Sequence, residues 1–474
     1  MALFFTCVLL LIAGYYVYGS FVDRIFGSDA SRAVPSVTKA DGVDFVPMST
    51  PKLFLIQLLN IAGLGPIFGP ILGALYGPSA LLWIVAGSIF AGGVHDYFAG
   101  MLSLRANGDS VPNVVGRELG GVFRQFMNYF SIILLLLVGI VFVLGPGKLL
   151  SQLTGWPVNY WVAAIFAYYF LATILPIDKI IGRFYPIFGA LLMFMSIGLT
   201  VMIMISPEYK LLPEGMSLSN MHPKELPVWP LMFITIACGA ISGFHATQSP
   251  LMARCCTSEK NGRFVFYGAM IGEGIIALIW CTLGLSFYHD AGSLGAAIAK
   301  GSPSGVVNEV SQALLGGGIG SALAVLGVVI LPITSGDTAF RSARLIIAEY
   351  VKMPQTMVVK RLLIALPLFA IGFVISLGDF NIIWRYFGWA NQTLAMVMLW
   401  AAAAYLIKRG KLHWICTVPA TFMTAVTFTY ISMEKIGLNL PYTWANAIGI
   451  ACAVSAFVAF FIAFGRKVGS VPAE

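Results

Sequence analysis

"ACGAISGFHATQSP" runs from Ala237 to Pro250 and completes an apolar stretch, "WPLMFITIACGAISG" (229–243). The stretch is hydrophobic enough to enter a bilayer. Yet it carries Gly239, Ser242 and Gly243, then His245, Thr247, Gln248 and Pro250. A continuous membrane helix has no use for that order of residues, which is expected to mark a helix that stops partway and restarts. A second segment has the same character: "LFLIQLLNIAGLGPIFGPILGALYG" (53–77) places Gly63, Gly65, Pro66, Gly69 and Pro70 inside an apolar run. Setting Pro70 under Pro250 brings Gly63 under Gly243 and Ile61 under Ile241.

Composition supplies the context. Of 474 residues, 59% are hydrophobic and 10% charged, against about 25% charged in a soluble domain. Apolar runs long enough to span a bilayer recur along the whole chain. They are apolar all round rather than alternating, which excludes barrel strands. The expected fold is an all-α polytopic membrane protein of about thirteen spans: 3–21, 53–76, 79–104, 122–145, 159–176, 184–205, 229–252, 264–287, 318–340, 359–376, 382–407, 412–432 and 443–465. The net charge of +8 falls mainly in short loops, so it speaks for topology rather than nucleic acid. Loops after odd-numbered spans hold 22 Lys and Arg, among them Lys179, Arg183 and Lys467, and loops after even-numbered spans hold five. That asymmetry puts the N-terminus outside and the C-terminus in the cytoplasm. The first segment lacks a basic leader and an A-x-A site, so it reads as an uncleaved helix. All seven cysteines read as reduced.

Five spans separate the two interrupted helices, so they enter the membrane from opposite sides. Spans 2–6 (51–206) and 7–11 (207–411) then form an inverted repeat. It is flanked by a peripheral N-terminal helix and loop (1–50) and two added C-terminal helices (412–474). Paired Gly/Pro-interrupted helices in inverted halves are a pattern of secondary transporters. A break in lipid strands backbone groups at several kcal/mol each, and it persists where those groups line a cavity or bind something. For Gly69 and Gly73, close helix packing explains the glycines equally well.

Polar residues inside other spans extend the candidate site. His95 and Asp96 in "AGGVHDYFAGML" (91–102) form either a protonatable pair or a packing hydrogen bond. Glu273 is an isolated intramembrane acid, for which a proton-relay or gating role is the default, with a neutral structural acid as the alternative. Thr334, Ser335, Asp337 and Thr338 place oxygens on little more than one helical turn, suited to protons or hard cations; alternatively Asp337 simply pairs with Arg341. Arg385 near the outer face either attracts a carboxylate or snorkels. Asn391 and Gln392 lie deeper, and Asn128 and Tyr129 are candidates to face the same cavity. No Walker A motif argues for an ATP-driven pump. The histidines show no metal-ligand spacing, so no metal and no cofactor beyond a co-transported ion are expected; a site joining His95 and His245 stays open.

"GAISGFHATQSPLMARCC" (239–256), "ITSGDTAFRSARLI" (333–346), "RYFGWANQTLA" (385–395) and "NIAGLGPIFGPILGALYGP" (60–78) together resemble the carbon starvation protein A (CstA) family. The resemblance spans about 50 to 460. It implies uptake of peptides or, by proton symport, of pyruvate, on a LeuT-like fold similar to amino acid–polyamine–organocation transporters. Larger family members extend well beyond position 474, so a short form is expected. In a LeuT-like arrangement, carbonyls near Ala62 and Gly65 would face Thr334 and Ser335 where related symporters hold sodium, and Asp337 would let a proton replace the ion.

The expected function is therefore secondary uptake of small carboxylates or short peptides across the inner membrane, coupled to protons or sodium. Its partners are a small substrate and the lipid bilayer, with no nucleic acid. Substrate contacts are expected from Ala62, Gly63, Gly65, Tyr129, Ser242, Gly243, His245, Thr247, Gln248 and Asn391. Coupling is expected from Thr334, Ser335, Asp337, Thr338, Glu273, His95 and Asp96. Two rivals are a passive channel and an intramembrane aspartyl protease using Asp96 and Asp337. The protease reading leaves the broken helices without a role and meets Thr334 where its motif needs glycine.

Overall fold

A computed structural model of the chain describes residues 2–174, 177–212, 218–316 and 318–469. Lys179, Arg183 and Lys467 lie outside the residues whose side chains are described. Among the described residues the chain is helical with no strand, as a bilayer requires of runs that must satisfy their own backbone. Helices α1 (Ala2–Tyr16), α2 (Tyr18–Phe26) and the short α3 (Pro35–Thr38) precede the first interrupted pair, α4 (Thr50–Ile61) and α5 (Gly65–Gly73). Then come α6 (Ser79–Ala86), α7 (Gly93–Arg105), α8 (Val111–Leu119), α9 (Gly121–Thr154), α10 (Val158–Ile174) and α11 (Ile177–Ile205). The second interrupted pair is α12 (Val228–Thr235) and α13 (Gly243–Ala253). It is followed by α14 (Gly268–Phe287), α15 (Ala291–Leu315), α16 (Ile319–Tyr350), α17 (Val358–Ser376), α18 (Phe380–Lys408), α19 (Trp414–Met433) and α20 (Tyr442–Phe464).

Among the described residues, nine helices are long and apolar enough to cross a membrane, or ten when the first interrupted pair counts as one span. The other expected spans coincide with α10, the α12–α13 pair and α16. One long helix departs from expectation. Residues 291–315 read as a loop, but α15 forms there, kinked at Ser302 where φ is +59°. Its small and polar residues give neither an apolar run nor a clear periodicity, and an Asp290–Ser293 capping box starts it instead.

Both interruptions have a local cause. At Ala62 (ψ 58°) helix α4 ends, and Pro66 in the first turn of α5 restarts it at a bend of 50°. At Ile236 (ψ 59°) helix α12 ends; Gly239 then adopts φ +93°, a conformation open to glycine, and extended Ser242 leads into α13. Two π-helical turns, Gly87–Gly92 and Arg263–Tyr267, precede α7 and α14. They are tied together by Tyr267, whose hydroxyl donates to the Ile89 carbonyl at 2.8 Å.

The layering follows from burial. The apolar window of α18 is entirely buried, whereas that of α20 is 17% buried and those of α11 and α17 about a third. Helices α7, α13, α14 and α18 thus form the interior, and the exposed apolar faces of α1, α11, α17 and α20 lie outside. One end of the bundle is held by ion pairs, one buried and one half-buried. Arg105 forks onto Glu259 with two bonds of 3.0 Å, and Arg254 meets Glu349 at 2.6 Å.

Candidate functional site

The two interruptions pack on each other. A methyl added at Gly65 would fall 2.1 Å from Cys238 Cβ, and one at Gly69 would fall 2.8 Å from the Thr235 carbonyl oxygen. Only glycine permits this approach, which is why these positions lack side chains. The freed carbonyls find donors: Trp83 Nε1 reaches Ile236 O at 3.3 Å, and Ser88 Oγ reaches Gly239 O at 2.9 Å. Asn391 closes the start of α13, where its Oδ1 accepts from the Phe244 amide at 2.7 Å and from Ser242 Oγ at 3.1 Å. That cap satisfies an amide which a helix N-terminus otherwise leaves open.

Beside this junction runs a fully buried chain of four side chains. His95 Nδ1 lies 2.7 Å from Asp96 Oδ1, and His245 Nδ1 lies 2.9 Å from Asp96 Oδ2. On the far side of the same ring, His245 Nε2 is 3.2 Å from Glu273 Oε2. That last contact has ion-pair distance without hydrogen-bond alignment, since His245 Nε2 and both Glu273 oxygens make no hydrogen bond. With Asp96 ionised, both Nδ1 atoms donate to it, which fixes the ring orientations and turns His245 Nε2 toward Glu273.

Further along α13, Gln248 Nε2 donates to Thr247 Oγ1 at 3.0 Å and to Ser342 Oγ at 3.4 Å. On α16, Ser335 Oγ donates to the Leu59 carbonyl of α4 at 2.9 Å. Ser335 thus meets α4 three residues before Ala62, at Leu59 rather than at the expected carbonyls near Ala62 and Gly65. Thr334 and Thr338 bond carbonyls of their own helix, at Leu331 and Ser335. Asp337 is buried beside them with Oδ2 making no hydrogen bond. Arg341 donates to Ala172 O and lies 3.7 Å from Asp44 Oδ1.

Cavities approach the junction from both ends. One of about 240 Å³ is lined by Tyr76, His222, Trp384, Arg385 and Glu434, and a smaller pocket bounded by Gly65, Ala237, Cys238 and Phe387 lies next to it. Arg385 donates to Glu434 at 2.8 Å within this lining. The other, of about 430 Å³, is lined by Asp44, Arg254, Glu349 and Gln355, and beyond it a small pocket touches Thr247 and Ser342.

Most of the expected residues thus converge, but Tyr129 does not. It is 59% exposed on the outer face of α9, with its hydroxyl 3.4 Å from that of Tyr350. A lone tyrosine in an apolar run does not reveal which face it takes. Gly63 is covered by the Phe142 ring. Cys238, Ser88, Ser342 and Asn60 join the site without a signal strong enough to place them there from sequence. Cys238 stands inside the opening stretch, where the sequence marks it only as a reduced thiol. Asn60, two residues before the break at Ala62, is buried with neither amide atom hydrogen-bonded.

Comparison with known proteins agrees with this architecture. A Haemophilus influenzae protein described as an uncharacterized membrane protein is 48% identical over 64% of this chain and 95% of its own length. The Escherichia coli peptide transporter CstA is 24% identical over 89% of this chain and 79% of its own. The pyruvate/proton symporter BtsT of the same species is 27% identical over 56% and 46%. Among solved structures, an Eremococcus coleocola manganese transporter superposes with TM-score 0.59 at 12% identity, covering 90% of this chain and 99% of its own. The nucleobase-cation-symport-1 family transporter MHP1 gives 0.53 at 14% identity, covering 89% and 96%. The fold is that of LeuT-like transporters. The profile of the carbon starvation protein CstA family matches residues 1–158, 146–314 and 289–430. The chain belongs to the carbon starvation protein CstA family.

Proposed function

We propose that this protein is a secondary symporter that brings small carboxylates such as pyruvate, or short peptides, into the cell with a proton. The observation that carries the reading is the pair of interrupted helices packed break to break, lined by Cys238, Ser242, His245 and Asn391 and approached by cavities from both ends. A substrate carboxylate is bound near the N-termini of α5 and α13, where helix dipoles favour negative charge. Ser242, Gly243, Thr247, Gln248 and Asn391 contact it, together with Ala62 and Gly65. The relatives named as a peptide transporter and a pyruvate/proton symporter support these substrate classes and the proton.

The proton is carried by Asp337, a buried acid with an open oxygen next to the Ser335–Leu59 contact between α16 and α4. A change in its charge bears directly on how those two helices meet. Residues 51–206 and 207–411 form the inverted repeat, a reading supported by the interrupted helix and π-helical turn in each half. The protein sits in the inner membrane with its N-terminus outside, supported by the 22-to-five distribution of basic residues. The test is uptake of labelled pyruvate and of a dipeptide into proteoliposomes under an inward proton gradient, a sodium gradient or neither. Accumulation under protons alone, lost in Asp337→Asn, is expected. Accumulation under sodium alone would assign Thr334 and Ser335 to the ion. Equilibration without accumulation would make the protein a channel.

A further inference from the structure

The unsatisfied atoms around His245 point at one another. His245 Nε2 and both Glu273 oxygens are fully buried without a hydrogen bond. Together with Cys238 Sγ they make a set of ligand-type atoms within 4.8 Å of one another. We propose that Cys238, His245 and Glu273 form a site for a divalent transition-metal ion of the zinc class, a role beyond the transport reading and against the expectation that the chain binds no metal.

The donor set chooses the ion. A thiolate, an imidazole and a carboxylate suit zinc or cobalt, whereas calcium and magnesium take oxygen ligands. Geometry is close to what such an ion needs. Bonds of about 2.0–2.3 Å place the ligand atoms of a tetrahedron roughly 3.3–3.7 Å apart. His245 Nε2 and Glu273 Oε2 are already 3.2 Å apart, so the remaining adjustment falls on the sulfur, which lies within 4.8 Å of both.

The surroundings are those of a metal site too. Asp96 Oδ2 holds His245 Nδ1 at 2.9 Å, the carboxylate–histidine arrangement that leaves Nε2 free to bind. His95 in turn holds Asp96. Around the sulfur, the Asn391 amide nitrogen lies 3.7 Å away and can donate to a thiolate, while Ser242 Oγ, 3.3 Å away, accepts from the thiol and would have to turn its proton from Asn391 Oδ1 to the sulfur once the thiol is deprotonated. One thiolate and one carboxylate offset the charge of a dication, and the ion would sit closer to the Glu273 carboxylate than the His245 ring does at 3.2 Å. On binding, the thiol proton and any proton on Glu273 leave to solvent.

The three ligands come from the α12–α13 interruption, the first turn of α13 and the second turn of α14. A bound ion therefore ties the broken helix to its neighbour, and its fourth position accepts water or a carboxylate oxygen.

The test uses purified full-length protein in detergent, with no substrate and no gradient. Cobalt(II) is titrated as the probe and the thiolate-to-cobalt absorption is followed. One cobalt per chain with that band, displaced by zinc, is expected. Cys238→Ser, nearly isosteric, should lose the band, while Cys416→Ser, at a buried thiol elsewhere, should keep it. Asp96→Asn should keep the band and weaken affinity about 10–100-fold. Lack of saturable binding by monodisperse wild-type protein, or a band that survives Cys238→Ser, would overturn the proposal. Metal binding without gradient-driven uptake would sink only the transport reading, and uptake without metal binding only this one.

Discussion

Adding a single methyl at Gly243 should do more damage than its size suggests. In Gly243→Ala the new Cβ would lie 2.2 Å from the Asn391 carbonyl oxygen and 2.6 Å from the Ala395 nitrogen. Both are backbone atoms of α18, so no side chain can swing away. Helices α13 and α18 must part by over an ångström to reach ordinary contact. Overpacking of this kind costs about 1–3 kcal/mol. Parting the helices also stretches the 2.7 Å bond from the Phe244 amide to Asn391 Oδ1, worth about 1 kcal/mol. The expected loss is about 2–4 kcal/mol, read as a lower thermal unfolding midpoint in detergent, with uptake lost in proteoliposomes. Gly305→Ala is the matched control. It lies in α15 with nothing within 4 Å of its added methyl, and there alanine should stabilise by about 0.4–1 kcal/mol. Gly243→Ala protein that unfolds at the wild-type midpoint and transports normally would refute the close-packed junction.

Three further outcomes are expected. Asn391→Ala removes the acceptor for the Phe244 amide and the Ser242 hydroxyl, costing about 1–2 kcal/mol. Uptake should fall with it, while Asn391→Asp, which keeps an acceptor, should transport better than the alanine variant. Arg105→Ala leaves the buried Glu259 carboxylate with Arg32 at 3.3 Å and the Asp29 amide at 3.0 Å; the loss, at most about 3–5 kcal/mol, should appear as faster tryptic cleavage in the 24–39 segment. Burial pushes the Cys255 and Cys256 thiols, beyond the end of α13, up to about 12 and about 11. Both stay protonated at neutral pH, so neither should react with maleimide until the protein is unfolded, as mass spectrometry can check.

The interruptions were legible because glycine and proline clustered in an apolar run free backbone groups that lipid cannot satisfy, so the break needs a protein-lined cavity around it. The acids and histidines stood out on similar grounds: each is costly in a membrane, so Asp96, His245 and Glu273 announced themselves singly. Their assembly did not. Asp96 and His245 are 149 residues apart, and nothing local tells which ring nitrogen meets which carboxylate. Asn391 was legible as a polar residue in a span but not as the cap of α13, a role created by the approach of α18 to Gly243. Cys238 was hidden because a small thiol in an apolar run looks like packing until its neighbours are placed. Helix α15 was missed because hydropathy responds to apolar length, and its sequence of small and polar residues has little.

The most direct test of proton-coupled uptake is the proton itself. Proteoliposomes loaded with a pH-sensitive dye, with equal pH on both sides, would receive external pyruvate or a dipeptide. Symport predicts acidification of the lumen beyond that of protein-free liposomes, and none beyond it in Asp337→Asn. Substrate entry without acidification, or acidification unchanged by Asp337→Asn, would contradict the assignment of Asp337 as the acid that carries the proton.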